Sequence, residues 1–145
     1  MIRRMDHVGI VVEDLAAAKE FFEDLGLRVQ GEMDMEGEWV DDVIGLKNTK
    51  SRIVMLETPD DSTNIELSQF HQPMDKAGLQ PVAANTLGMR HLAFVVDDVD
   101  AMVAKLEKKG MRLFGKVVNY EDVYKVCYVH GPEGIIVELA EELHG

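Results

Sequence analysis

The chain has one cysteine, four prolines and only 6% aromatic residues, and these shortages exclude several classes of protein. A lone Cys127 allows no intrachain disulfide, four-cysteine zinc site or Cys-x-x-Cys redox pair, so any metal must be held mainly by histidine and carboxylate. So little proline, in a chain that is 46% hydrophobic and 29% charged, argues against collagen-like and disordered chains. Basic side chains are scarce too, 15 against 27 acidic ones, leaving a formal charge of −12. Such a surface repels phosphate backbones and anionic lipid heads, and no Lys/Arg stripe offsets it; nucleic-acid and membrane partners are not expected. No apolar run approaches the ~20 residues of a bilayer span, and MIRRMDHVG carries no apolar signal core, so the expected location is the cytoplasm. The 145 residues form one domain of ordinary size, at which roughly 68–70% of the unfolded chain's surface is buried.

The chain repeats itself. Shifted by 84 positions, Met5 to Glu32 lies over Met89 to Lys116 without a gap, with ten of 28 pairs identical, among them His7/His91, Asp14/Asp98, Gly26/Gly110 and Gly31/Gly115. A shift of 72 then aligns Val54-Met55-Leu56 with Val126-Cys127-Tyr128, and Ile65-Glu66-Leu67 with Val137-Glu138-Leu139. The first copy therefore carries about 12 extra residues, the difference of the two shifts, around Met33 to Lys50.

Periodicity makes each copy a βαβββ module, the two spanning about 5–69 and 89–140. His7 to Val12 reads as a strand; Asp14 caps a helix whose apolar positions Leu15, Ala18, Phe21, Phe22 and Leu25 recur at helical spacing until Gly26 stops it. Strands follow at Arg28 to Glu32, Arg52 to Glu57 and Asn64 to Gln69. The second copy predicts a strand at His91 to Val96, a helix at Val99 to Lys109, and strands at Arg112 to Val118, Tyr124 to His130 and Ile135 to Ala140. Phe70 to Gly88, without clear periodicity, links them.

Side chains alternate across a strand. Val8, Ile10 and Val12 share the helix-covered face, which puts His7, Gly9 and Val11 opposite; Leu92, Phe94 and Val96 likewise leave His91, Ala93 and Val95 opposite. Glu66 and Glu138 interrupt otherwise apolar strands. In Ile135-Ile-Val-Glu-Leu-Ala a lone ionised carboxylate needs a partner: a divalent cation, Lys or Arg, or a hydrogen-bonded neutral network. Two imidazoles and two carboxylates, brought together by duplication, suit zinc, iron, nickel, cobalt or manganese. Blander assignments fit the rest. His71, His130 and His144 lack such pairing and read as surface residues. Glu13, Asp14, Asp97 and Asp98 belong to helix starts. Cys127 and most methionines read as core, while Trp39, Tyr120, Tyr124 and Met55 are candidates to line a pocket.

The paired modules, with His opening the first strand of each and Glu in the last, together with DHVGIVVEDLAAAKEFFEDLGL, GMRHLAFVVDDVDAMVAKLEKKG and HGPEGIIVELAE, resemble the vicinal oxygen chelate superfamily over nearly the whole chain. This superfamily includes glyoxalase I, methylmalonyl-CoA epimerase, extradiol dioxygenases and bleomycin-binding proteins. The resemblance implies an α+β fold, paired βαβββ modules forming a curved eight-stranded cup, with one divalent metal ion (Zn, Ni, Co, Mn or Fe) on His7, Glu66, His91 and Glu138. It also implies a small-molecule substrate and a homodimer. All four ligand positions are filled, which is similar to the glyoxalase I and epimerase branches and implies a metal-dependent lyase or isomerase. Its proton transfer next to a metal-bound carbonyl or enediolate would use Glu66 or Glu138 as base. The alternatives are a non-catalytic drug-binding resistance protein and an extradiol-type dioxygenase.

Overall fold

The computed structural model describes residues 1–144. Two compact units divide it, Met1–Gly78 and Leu79–Gly145.

In the first unit β1 (His7–Val11), α1 (Leu15–Leu25), β2 (Arg28–Glu36), α2 (Glu38–Ile44), β3 (Lys50–Glu57) and β4 (Asn64–Gln72) follow one another. The strands form a mixed sheet in the order β1-β4-β3-β2, with β1 parallel to β4 and the other pairs antiparallel. Helix α1 begins where Asp14 accepts a hydrogen bond from the Ala17 amide and ends at Gly26, whose φ of 111° suits a residue without Cβ. Its buried face, Leu15, Ala18, Phe21 and Phe22, packs on β3 and β4. Val54, Leu56, Ile65 and Leu67 of those strands are buried beneath it.

The second unit repeats the plan: β5 (His91–Val95), α3 (Val99–Lys108), β6 (Val118–Tyr120), β7 (Tyr124–His130) and β8 (Ile136–Glu142), in the order β5-β8-β7-β6 with β5 parallel to β8. Asp98 caps α3 as Asp14 caps α1, accepting from the Ala101 amide. Val99, Val103 and Leu106 are buried with Val129, Val137 and Leu139.

Each unit is thus a helix-backed four-stranded mixed sheet of α+β class, and among the described residues no helix is long and apolar enough to cross a membrane.

Three expectations are corrected. The strand expected over Arg112 to Val118 is only an isolated bridge, Leu113 to Val129, followed by the short β6, because Gly115 and its neighbours bend away before pairing resumes. The extra residues of the first copy lengthen β2 to Glu36 and form α2. The third correction concerns register. Glu66 pairs with Met55, whereas Glu138 pairs with Tyr128, so Met55 corresponds to Tyr128 and not to Cys127. The matching shift for this strand is 73, and the turn between the last two strands is one residue longer in the first copy, as the pairs Glu57–Asn64 and His130–Ile136 require.

Candidate functional site

The parallel ladders determine what lies together. Gly9 is beside Glu66 and Ala93 beside Glu138, and each histidine, two residues earlier on its strand, points to the same face. His7 Nε2 lies 3.5 Å from Glu66 Oε2, and His91 Nε2 lies 3.4 Å from Glu138 Oε1. Each unit therefore brings together one of the expected histidines and its expected glutamate. Both carboxylates retain about a quarter of their exposure, 27% and 25%. Glu138 is thus not the fully buried carboxylate its apolar strand suggested.

The gaps are chemically informative. Both are longer than the 2.7–3.2 Å of a good hydrogen bond. Two donors bound to one ion at ~2.1 Å, with an opening between ~90° and tetrahedral, lie about 3.0–3.4 Å apart. An imidazole nitrogen and a carboxylate oxygen at this spacing fit as neighbouring ligands of a divalent ion, and their chemistry suits zinc, nickel, cobalt, manganese or iron. Among the described residues no group of three or more His, Cys, Asp or Glu side chains is gathered to hold a metal; within a unit the donors come as a pair.

The surroundings of the two pairs differ. In the first unit His7 Nδ1 is 2.8 Å from Asp6 Oδ2, and Arg4 Nη1 is 2.8 Å from Asp6 Oδ1. These contacts, His7 first and Arg4 next, hold the Asp6 carboxyl below the usual carboxylate range. Ser68 Oγ donates to Glu66 Oε1 across 3.4 Å. Met55 faces Glu66 from β3 and, with Arg4, Asp6, Gln30 and Asn64, lines a largely polar cavity of about 520 Å³. In the second unit the place of Met55 is taken by Tyr128, whose hydroxyl is 3.4 Å from Nδ1 and 3.5 Å from Nε2 of His91 and whose ring lies 4.9 Å from the imidazole, centroid to centroid.

Tyr128 and Asp6 are the residues that sequence reasoning missed. Tyr128 was hidden by the one-residue slip, which places a side chain on the wrong face of its strand; matching the buried pairs Val54/Cys127 and Leu56/Val129 would have revealed it. A Cβ at Gly9 would meet nothing within 4 Å. Of the other candidates Met55 joins the cavity, whereas Trp39, Tyr120 and Tyr124 are exposed. His71 and His144 are exposed, but His130 is stacked on Phe114 at 3.5 Å. Cys127 is buried, as expected, and burial pushes its thiol up.

Comparison with known proteins identifies the family of the chain. Residues 6–128 match the model of the Glyoxalase/Bleomycin resistance protein/Dioxygenase superfamily. The chain belongs to that superfamily. A glyoxalase family protein from Bacillus cereus has a crystal structure similar to it over 99% of this chain and 97% of that one, with 44% identity and a TM-score of 0.92. The uncharacterized protein YaeR of Escherichia coli is 29% identical, over 97% of this chain and 98% of YaeR. Human mitochondrial methylmalonyl-CoA epimerase is 30% identical over 95% of this chain and 73% of the human protein.

Proposed function

We propose that this member of the superfamily is a metal-dependent lyase or isomerase of glyoxalase I or methylmalonyl-CoA epimerase type, acting on a small 2-oxo compound, its thiol adduct or a related thioester. The observation that carries the reading is the repeated His–Glu pair, at 3.5 and 3.4 Å on the same face of each sheet. The similarity to methylmalonyl-CoA epimerase supports the epimerase form of it.

His7, Glu66, His91 and Glu138 would hold one divalent ion, which when bound supplies Lewis-acid stabilisation to an enolate as its charge develops. The protein's own part is proton transfer. One carboxylate, Glu66 or Glu138, would take the proton from the carbon beside the carbonyl; in an isomerisation it would return the proton to the neighbouring carbon, and in an epimerisation the other carboxylate would deliver a proton to the opposite face of the same carbon. Ser68 steadies Glu66, and Tyr128 offers a hydroxyl beside His91.

The test is turnover by chain loaded separately with zinc, nickel, cobalt, manganese and iron. Methylglyoxal with several thiols is one substrate set and methylmalonyl-CoA the other. Product from either supports the reading. A chain that binds these ions yet turns over none of them would overturn it, and tight ligand capture without metal would favour a binding protein.

A further inference from the structure

The two histidines are not held alike, although duplication made them equivalent. Asp6 Oδ2 lies 2.8 Å from His7 Nδ1, and a carboxylate has no hydrogen to give, so the hydrogen in that bond belongs to the imidazole. The other carboxylate oxygen is engaged by Arg4 at 2.8 Å, which keeps the carboxylate aimed at the ring. With Nδ1 carrying the hydrogen, a neutral His7 turns a bare Nε2 toward Glu66. In the second copy the residue before the histidine is Arg90, which accepts nothing. His91 has instead the Tyr128 hydroxyl, nearly equidistant from its two nitrogens at 3.4 and 3.5 Å, and the Glu138 carboxylate 3.4 Å from Nε2, so no acceptor holds a hydrogen on its Nδ1 and the carboxylate favours one on Nε2.

We propose that Asp6 is a positioning residue that fixes His7 as the Nδ1–H tautomer, its Nε2 lone pair open to an ion, so that His7 is pre-organised as a ligand while His91 is not. Its bearing on metal binding rests on the function proposed above; its bearing on the tautomer does not. A carboxylate on the far nitrogen of a ligating imidazole also raises that ligand's basicity, and its loss typically lowers metal affinity about 10- to 100-fold.

The experiment is nitrogen-15 NMR of histidine-labelled, metal-free full chain, at a pH where the imidazoles are neutral. Wild type, Asp6→Asn and Asp6→Ala are compared, with zinc affinity measured on the same samples. The expected result is a bare Nε2 for His7 in wild type, a hydrogen predominantly on Nε2 for His91, which faces Glu138, and a shift of His7 toward the Nε2–H form in Asp6→Ala, where only Glu66 remains to accept. Asp6→Asn, whose amide oxygen still accepts, should retain part of the wild-type pattern. Unchanged His91 signals report that each variant is folded. Zinc affinity should fall about 10- to 100-fold in Asp6→Ala. The proposal is overturned if His7 shows the same tautomer in Asp6→Ala as in wild type. If the tautomer responds as expected but no variant binds any ion, the role of Asp6 stands and the metalloenzyme reading falls.

Discussion

His7 and Glu66 meet across the parallel pair β1 and β4 with Nε2 3.5 Å from Oε2, too far for a good hydrogen bond and suitable for two ligands of one ion. His91 and Glu138 repeat the relationship on β5 and β8. Removing one imidazole should therefore damage ion binding far more than folding. His7→Ala and His91→Ala are each expected to weaken zinc binding by at least about tenfold, judged from the usual sensitivity of metal sites. Stability should change by no more than ~0.5 kcal/mol, because both side chains are more than a third exposed. Competition with a chromophoric chelator and urea unfolding measure the two quantities; unaltered zinc affinity in both variants argues against these ligands.

An ion that binds only the folded chain stabilises it by mass action, about 2.7 kcal/mol at 100 times its dissociation constant. Zinc should raise the melting temperature of the wild type, and a chelator should reverse the rise. His7→Ala/His91→Ala together should melt at the wild-type metal-free temperature with or without zinc. A zinc-dependent rise that survives the double substitution places the ion elsewhere.

Much of this was legible in the sequence, for identifiable reasons. The helices were readable because Asp14 and Asp98 cap them and their apolar positions follow a helical period. The His–Glu pairing was readable because duplication leaves the same residues at the same places in both copies. Less accessible were the features that duplication does not repeat. The register of β7 against β8 is decided by which side chains are buried, and the aligned triplets Val-Met-Leu and Val-Cys-Tyr are apolar enough to fit either of two registers. Asp6 and Arg90 differ at matching positions, so the partner of His7 emerges only from the folded geometry.

Core substitutions should be costly in either unit. Phe22 is fully buried and meets Phe21 edge to face, ring centroids 5.2 Å apart. Its replacement by Ala removes a large apolar side chain and leaves a cavity under α1, expected to destabilise by about 3–5 kcal/mol. Leu139→Ala, under α3, is expected to cost about 2–5 kcal/mol. Urea unfolding of each variant checks the magnitudes, and a loss below ~1 kcal/mol contradicts the packing described.

Cys127 is 4% exposed, and burial raises its thiol above the ordinary value. Little thiolate exists near neutral pH, and it is the thiolate that reacts. The native chain should therefore react with an aromatic disulfide reagent much more slowly than the chain unfolded in guanidinium, where one thiol per chain should titrate at once. Equal rates in the two states would mean that Cys127 is accessible.

Asp41 links α2 to the loop after it, accepting the amides of Asn48 and Thr49 at 2.9 Å each. The nearby Thr49 hydroxyl, first, although it makes no hydrogen bond of good geometry, and these two amides hold its carboxyl below the ordinary value of 3.8. The sign follows from linkage: a group easier to ionise when folded contributes its stability above the unfolded value and loses it as pH falls through the lower folded value. Near neutral pH the clasp is fully formed. Acidification should release Asn48 and Thr49 only below the ordinary carboxylate value. NMR titration of the two amides should thus give a midpoint below 3.8, and Asp41→Ala should abolish that transition and lower their protection from hydrogen exchange at neutral pH. A midpoint at or above 3.8 would show that the clasp does not favour the ionised acid.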